Sequence, residues 1–280
     1  MTRPHVSHET LTAQVARVIR NEIHAGMWRD GEVLPSTRKL AERIGTSTYT
    51  VNHAMQLLAE ENLVVNRARS NRVVNYPQGQ PRERIRPDVP RAVLIGGFAG
   101  SGKTELGRIL ARLTGWPILD KDTLTRPVVE TALEVLGLSP HDRESADYLT
   151  RIRPREYEAL MAAALENVDC GNSALITAPF IREFSDPAWV SRTRAQFETR
   201  KVEVSLVWIY CDADSMQTYI RQRGAARDAA KLADWPAYLG AIDLNLRPPV
   251  PHHLVDNSVS AEPLQTQAQS LARTLLADTH

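Results

Sequence analysis

Apolar residues recur at helical spacing in three segments of the first 75 residues. The first segment spans 10–26, the second follows Ser36, and the third begins after Thr46 or Ser47, either of which can cap it. Two short β-prone stretches follow, with arginines within and between them. Three helices and a basic hairpin predict a winged helix-turn-helix.

From residue 91 onward, short apolar stretches alternate with helical ones. The predicted strands are 91–95, 116–119, 174–177, 202–209 and 253–255. The predicted helices include 127–136, 155–168, 188–199, 215–223 and 261–277. This alternation predicts an α/β fold in which a parallel sheet is flanked by helices.

A proline-rich stretch separates the two patterns. Residues 76–90 contain four prolines and almost no apolar periodicity, so they can continue neither a helix nor a central strand. We therefore expect a winged helix-turn-helix domain over 1–75, an extended linker over 76–90 and a separate α/β domain over 91–280.

Basic charge is concentrated in the N-terminal third. Residues 1–90 hold 13 Lys and Arg against 9 Asp and Glu, a net charge of +4, whereas the remainder holds 21 against 24, a net charge of −3. The two cysteines lack the spacing of a disulfide scaffold or a zinc site. No apolar run approaches the roughly 20 residues of a membrane span, and no signal-like apolar core is visible, so we expect a cytoplasmic protein without a membrane partner.

The helix-turn-helix segment carries a specific pattern. LPSTRKLAERIGTS at 34–47, TVNHA at 50–54 and LLAEENLV at 57–64 resemble the GntR family of bacterial transcription regulators. The resemblance covers about residues 10–75 and implies a homodimer that binds double-stranded operator DNA. The family usually has arginine where this chain has Thr48 and Asn52, so no operator sequence is carried over.

The geometry of such domains selects the candidate DNA-binding residues. A recognition helix presents its N-terminal residues to base edges in the major groove, while basic residues of the preceding helix and the wing reach phosphate or the minor groove. Any single arginine among them is also compatible with a solvated surface charge. The candidates are Arg38, Lys39, Ser47, Thr48, Tyr49, Asn52, Arg67, Arg69 and Arg72.

A glycine-rich motif follows the strand at 91–95. GFAGSGKT at 97–104 fits the Walker A pattern G-x-x-x-x-G-K-[ST], with a strand before it and a helix after it. Backbone N–H groups of such a loop surround phosphate, the lysine holds the β- and γ-phosphates of ATP, and the threonine hydroxyl ligates Mg²⁺. The predicted ATP-binding residues are Gly97, Gly100, Ser101, Gly102, Lys103 and Thr104, with Thr104 at the metal.

Two acids follow the next predicted strand. WPILDKDTL at 116–124 places Asp120 and Asp122 at the carboxyl end of a strand, where ligands bind in open α/β sheets. The alternative is that both acids only cap the following helix. The segment resembles small P-loop kinases that include chloramphenicol phosphotransferase, gluconate kinase and the zeta toxins. That resemblance implies that Asp122 accepts the proton of a substrate hydroxyl, and we expect Asp120 near Mg²⁺ or the substrate.

A run of basic residues follows the strand at 202–209. Arg221, Arg223, Arg227 and Lys231 resemble the lid of the same kinases, where arginines stabilise charge on the transferring phosphoryl group. A solvated basic helix is the alternative. The resemblance makes Lys103, Asp122, Arg221, Arg223 and Arg227 the candidate catalytic residues.

Together the two patterns predict a transcription regulator whose kinase-like domain senses ATP and a small hydroxylated metabolite. One alternative is a small-molecule kinase with an autoregulatory DNA-binding domain, and another is a toxin-like or antibiotic-modifying phosphotransferase. The strand at 174–177 lacks the terminal acid typical of mechanical ATPases, which favours a simple kinase site.

Overall fold

The computed structural model describes residues 10–67, 71–76, 87–224 and 228–277. Arg69, Arg227 and most of the predicted linker lie outside the described residues. Within the part that is described, no helix is both long enough and apolar enough to cross a membrane.

The N-terminal part is a three-helix domain with a short antiparallel hairpin. Thr10, Ser36 and Ser47 each precede a helix, and each side-chain oxygen accepts a hydrogen bond from the backbone amide three residues later. The second helix ends at Gly45, whose φ of 73° is left-handed. The elements are α1 (Leu11–His24), α2 (Thr37–Ile44), α3 (Thr48–Glu60), β1 (Val64–Arg67) and β2 (Asn71–Val74).

The C-terminal part is built on a five-stranded parallel sheet, which confirms the predicted fold class. Its strand order is β4-β5-β3-β6-β7, and every neighbouring pair is parallel. The strands are β3 (Arg91–Gly96), β4 (Ile118–Asp120), β5 (Ala174–Thr177), β6 (Glu203–Tyr210) and β7 (His253–Asp256).

Helices cover both faces of this sheet. In β3, Ala92 and Leu94 belong to the core on one face, and Val93 and Ile95 belong to the core on the other. The helices are α4 (Lys103–Thr114), α5 (Lys121–Val135), α6 (Arg153–Asp169), α7 (Ile181–Phe184), α8 (Pro187–Glu198), α9 (Ala213–Arg223), α10 (Ala229–Ala233), α11 (Trp235–Gly240) and α12 (Leu264–Ala277). A π-helical turn at Tyr148–Ile152 leads into α6.

One helix starts earlier than its sequence pattern indicates. The predicted segment 127–136 belongs to α5, which begins at Lys121 because the Asp120 carboxylate accepts a hydrogen bond from the Thr123 amide at 2.9 Å. Pro127 therefore lies inside the helix rather than at its start, although proline lacks the amide that would donate to the preceding turn.

The two parts of the chain pack against each other. Ala25, directly after α1, belongs to the core cluster formed with α4 and α12. The Arg112 guanidinium, in the last turn of α4, lies 4.7 Å from the centre of the Tyr76 ring. The winged helix is thus seated on the sheet domain as well as joined to it in sequence.

Candidate nucleotide site and DNA interface

The glycine-rich loop connects β3 to α4 at the carboxyl end of the sheet. Gly100 and Gly102 have left-handed φ values of 79° and 96°. A side chain at Gly100 would collide with Ile220 of α9, and one at Gly102 would collide with the amide of Asn257. Both glycines are therefore required by backbone conformation and by close packing, as the sequence motif predicts.

Lys103 is the first residue of α4, and its ammonium lies across the loop. Nζ donates to the carbonyl oxygen of Phe98 at 2.7 Å. Burial, and next the nearby Arg223 guanidinium, lower the pKa of Lys103 to about 8. The Phe98 ring is held in an edge-to-face contact with Trp208, 5.8 Å between ring centres. The charge that would meet phosphate is thus placed by a well-packed loop.

Three oxygen-bearing side chains meet beside this loop. The Thr104 hydroxyl donates to Asp120 Oδ2 at 3.1 Å, and the Thr177 hydroxyl donates to the same oxygen at 2.7 Å. They come from the start of α4 and the ends of β4 and β5. Hydroxyl and carboxylate oxygens suit Mg²⁺, which takes few protein ligands when it is bound with phosphates. Across the described residues there is no group of three or more His, Cys, Asp or Glu side chains that could hold a metal by itself.

Asp122, in the first turn of α5, is next to a buried polar cluster that the sequence pattern does not predict. Lys121 Nζ lies 3.0 Å from Asp122 Oδ1 and 2.6 Å from Glu156 Oε1. Glu156 is only 3% exposed and also accepts hydrogen bonds from Thr125, at 2.9 Å, and Tyr148, at 2.8 Å. Burial, then the charge of Glu156, raises the pKa of the Tyr148 hydroxyl, which therefore stays protonated and donates. The cluster fixes Lys121, and Lys121 in turn positions the Asp122 carboxylate.

A second charged pair lies between α6 and α7. The Arg153 guanidinium donates to both carboxylate oxygens of Glu183, at 2.7 and 3.0 Å, and lies 4.3 Å from the centre of the Tyr157 ring. Burial, then the Glu183 charge, raises the pKa of Tyr157. The Arg153 charge is therefore paired with the Glu183 carboxylate inside the protein.

The predicted lid is only partly described. Arg223, the last residue of α9, donates to the buried Asp228 carboxylate at 2.5 and 3.0 Å, and Lys231 Nζ lies 3.3 Å from the other oxygen of that carboxylate. Arg221 is exposed on α9. Among the described lid arginines, the charge of Arg223 is close enough to lower the pKa of Lys103. The buried Asp228 carboxylate thus binds both Arg223 and Lys231.

The recognition helix α3 presents its N-terminal turns to solvent. Ser47, Thr48, Tyr49 and Asn52 are exposed, and the Tyr49 side chain is 70% exposed. The Tyr49 ring lies against His53, 4.3 Å between ring centres. The basic candidates Arg38 and Lys39 on α2 are also exposed.

Arg72 in the wing is bonded to the recognition helix. Its two terminal nitrogens donate to Thr37 Oγ1 and Asn52 Oδ1, both at 2.9 Å, and burial lowers the pKa of this guanidinium. The Thr37 hydroxyl also donates to Asn52 Oδ1 at 3.2 Å. Arg72 therefore connects β2, α2 and α3. Arg67 ends β1, and Arg69 lies outside the described residues.

Residues 93–243 match the family model of an AAA domain. The chain belongs to this AAA domain family. The matched segment contains the loop, Lys103, Thr104, both acids and the described lid residues. Residues 11–74 match the family model of bacterial regulatory proteins of the gntR family. The chain thus joins a GntR helix-turn-helix domain to a kinase-like domain, which confirms both resemblances seen in the sequence.

Curated relatives match the two parts separately. A shikimate kinase of Moorella thermoacetica is 29% identical over 36% of this chain and 58% of its own length. A histidine utilization repressor of Klebsiella aerogenes is 34% identical over 24% of this chain and 28% of its own length. The chain thus spans less than two thirds of the length of either relative. Among solved structures, a gluconokinase from Sinorhizobium meliloti covers 69% of this chain and 99% of its own, at 16% identity and a TM-score of 0.42.

Proposed function

We propose that the protein is a transcription regulator that binds double-stranded operator DNA and whose kinase-like domain binds Mg-ATP and a small hydroxylated metabolite. The observation that carries this proposal is the coexistence, in one packed chain, of an exposed recognition helix and a glycine-rich loop with Lys103 and Thr104 at its helix. A regulator of this kind must reach chromosomal DNA, so we propose that it acts in the cytoplasm.

The loop residues fit a nucleoside triphosphate with Mg²⁺. The Ser101 hydroxyl is buried without a hydrogen-bond partner among the described residues, so a phosphate oxygen would satisfy it. Gly97, Gly100 and Gly102 leave the backbone amides without covering side chains, and Lys103 would hold the β- and γ-phosphates. Thr104, with Asp120 behind it, would hold Mg²⁺, which neutralises charge on the phosphates when it is bound.

Phosphoryl transfer to a hydroxyl is a second candidate function, favoured by the placement of Asp122. Lys121 holds this carboxylate at the start of α5, two residues after the proposed metal partner Asp120. We propose that Asp122 accepts the proton of the acceptor hydroxyl. Arg223, with Arg221 and Arg227, would stabilise charge on the transferring group. In this case the DNA-binding domain regulates the chain's own synthesis.

We also propose that the protein acts as a homodimer. One winged helix contacts about one DNA half-site, and two half-sites are read by two copies related by a twofold axis. The kinase-like domain is the larger part of the chain and is the proposed site of pairing. Light scattering at micromolar concentration tests this proposal directly, and a monomer in the presence and absence of Mg-ATP would contradict it.

Lys103→Ala tests the nucleotide site. Removing the ammonium removes the point charge expected at the β- and γ-phosphates, so we expect Mg-ATP affinity to fall at least tenfold, a loss of about 1.4 kcal/mol. Titration calorimetry on the folded variant measures this, and circular dichroism checks that it is folded.

Lys201→Ala, which removes a lysine from the loop before β6, is the matched control. It should retain wild-type affinity for Mg-ATP. If Lys103→Ala binds Mg-ATP as tightly as the wild type, the P-loop is not a nucleotide site and the proposed function is wrong.

A further inference from the structure

Arg17 is a buried charge of the DNA-binding domain whose two terminal nitrogens are bonded to the kinase-like domain. It lies in the middle of α1 and is only 4% exposed. Its guanidinium donates to the carbonyl oxygens of Val259, Ala261 and Glu262, the last two at 3.1 to 3.2 Å. These carbonyls belong to the segment 257–263 between β7 and α12, about 240 residues along the chain.

The first residue of this segment, Asn257, contacts the glycine-rich loop. Asn257 is 2% exposed, and its amide nitrogen donates to the carbonyl oxygen of Ser101 at 3.1 Å. Its side-chain oxygen is buried without a hydrogen-bond partner among the described residues. Asn257 packs so closely on Gly102 that no side chain fits there. The position of Asn257 and the conformation of the loop therefore depend on each other.

The segment is also bonded to the start of α9. The Ser258 hydroxyl accepts from the Asp212 amide, and the Val259 amide donates to the Ser215 hydroxyl, both at 2.9 Å. Helix α9 packs on Gly100 through Ile220 and ends at Arg223. The contacts made by Arg17 thus end on a segment that is hydrogen-bonded both to the glycine-rich loop and to the start of the lid helix α9.

A guanidinium is suited to this junction for physical reasons. It presents five N–H donors in a fixed plane, so it can hold several carbonyls in one arrangement. A buried charge without those acceptors would be strongly destabilised, and α1 and the segment 257–263 therefore keep one relative position. Separate contacts, Arg112 on Tyr76 and Ala25 in the shared core, hold the domains together when Arg17 is changed.

We infer that Arg17 is a positioning residue for the nucleotide site: the DNA-binding domain, through Arg17 and the segment 257–263, sets the conformation of the glycine-rich loop. This inference rests on the proposed binding of Mg-ATP at that loop. It assigns a function in the nucleotide site to a residue of the DNA-binding helix bundle, outside the kinase-like family match. Coupling between two sites is reciprocal, so nucleotide bound at the loop also affects α1 through the same contacts.

The test compares Arg17→Met with Arg20→Met. Both variants remove an arginine from α1, but Arg20 pairs with Glu61 inside the DNA-binding domain. We expect Arg17→Met to weaken Mg-ATP binding about tenfold, within the usual range of coupling between sites, and Arg20→Met to leave it unchanged. Affinity is measured by calorimetry at a temperature where both variants are folded.

Hydrogen exchange separates positioning from a general loss of stability. In the wild type, Mg-ATP should slow amide exchange in peptides that cover 257–263 and α1, and Arg17→Met should abolish the response of α1. A purely structural role for Arg17 would lower the melting temperature without changing nucleotide affinity or this response. Arg17→Lys, which keeps the charge but reaches fewer carbonyls, should give an intermediate affinity and replaces Arg17→Met if that variant does not fold.

The outcomes distinguish the inference from the proposed function. If the wild type does not bind Mg-ATP, both are wrong. If the wild type binds and the folded Arg17 variants match it in affinity and in the exchange response of α1, only the inference is overturned. If Arg20→Met weakens binding as much as Arg17→Met, the effect comes from α1 stability, and the inference is again overturned.

Discussion

Asp120 and Asp122 are separated by one residue, yet their contacts differ completely. Asp120 caps α5 and accepts the hydroxyls of Thr104 and Thr177, whereas Asp122 pairs with Lys121. The first arrangement suits a partner of a metal ion, and the second suits a carboxylate that faces a substrate. The sequence places both acids at the end of a strand, and only the resemblance to small kinases assigns them different functions.

Asp122→Asn should therefore slow the proposed phosphoryl transfer while nucleotide binding persists. General-base assistance contributes about 10²–10⁴ in rate, and the amide cannot accept the proton. We expect phosphotransfer from radiolabelled ATP to hydroxylated metabolites to fall by that factor, with Mg-ATP affinity within twofold of the wild type. Asp120→Asn is the comparison and should weaken Mg²⁺-dependent binding instead. Full phosphotransfer by Asp122→Asn would show that another group accepts the proton.

His24, the last residue of α1, makes the domain junction sensitive to pH. Burial, then the charges of Arg20 and Arg112, lowers its pKa from 6.5 to about 4, and its ring packs edge-on against Tyr76 at 5.0 Å. The unfolded chain binds this proton below pH 6.5, whereas the folded chain does not bind it until about pH 4. The buried neutral imidazole therefore costs no stability above pH 6.5. As the pH falls from 6.5 to 4, the free energy of unfolding decreases.

His24→Gln should flatten this part of the pH dependence. Between pH 6.5 and 4, the melting temperature should fall less steeply in the variant than in the wild type, because no proton is taken up at position 24 on unfolding. Differential scanning calorimetry measures both slopes. His141→Gln, at an exposed position, should keep the wild-type slope, and equal slopes for all three proteins would contradict the assignment.

At the scale of elements, the wing and the recognition helix form one unit through Arg72. Its bonds to Thr37 and Asn52 fix the orientation of an exposed side chain on α3. Arg72→Met should therefore release Asn52 and broaden the set of sequences selected from a random DNA library. Arg38→Met, at an exposed position on α2, should leave the selected sequence unchanged and reduce the slope of log K against log salt by about 0.9. An unchanged selected sequence for Arg72→Met would show that DNA recognition by Asn52 does not depend on its hydrogen bond to Arg72.

Local sequence signals predict the elements whose ends are determined locally. Ser36 precedes α2 as the pattern indicates, Ser47 is the one of the two candidate residues that caps α3, and the glycine-rich loop lies between a strand and a helix. Short elements such as α7, α10 and α11 escape sequence reasoning because they are too short for periodicity and depend on tertiary packing. Helix α7, for example, follows Phe180, a fully buried residue with a left-handed φ of 48°.

At the scale of the whole molecule, the junction between domains could not be read from the sequence. The pattern predicts an extended linker, which suggests two tethered domains. The structure adds Arg17 on the segment 257–263 and Arg112 on Tyr76, contacts between residues far apart in the chain. A buried arginine in an amphipathic helix has no local signature, because its acceptors are backbone carbonyls that only the folded chain brings to it.

This junction predicts thermodynamic linkage between nucleotide and DNA. If Mg-ATP changes the affinity for a DNA duplex selected by this protein, that duplex must change the affinity for Mg-ATP by the same factor, which we expect to lie between about 5 and 150. Four measurements test this: calorimetry of Mg-ATP with and without the duplex, and fluorescence anisotropy of the duplex with and without Mg-ATP. Lys103→Ala is the control, since it should bind the duplex normally yet lose the response to Mg-ATP. If Mg-ATP affinity is the same with and without the duplex, and duplex affinity the same with and without Mg-ATP, the packed domains are energetically independent. The protein would then be a kinase-like domain joined to a DNA-binding domain whose affinity for DNA does not depend on bound Mg-ATP.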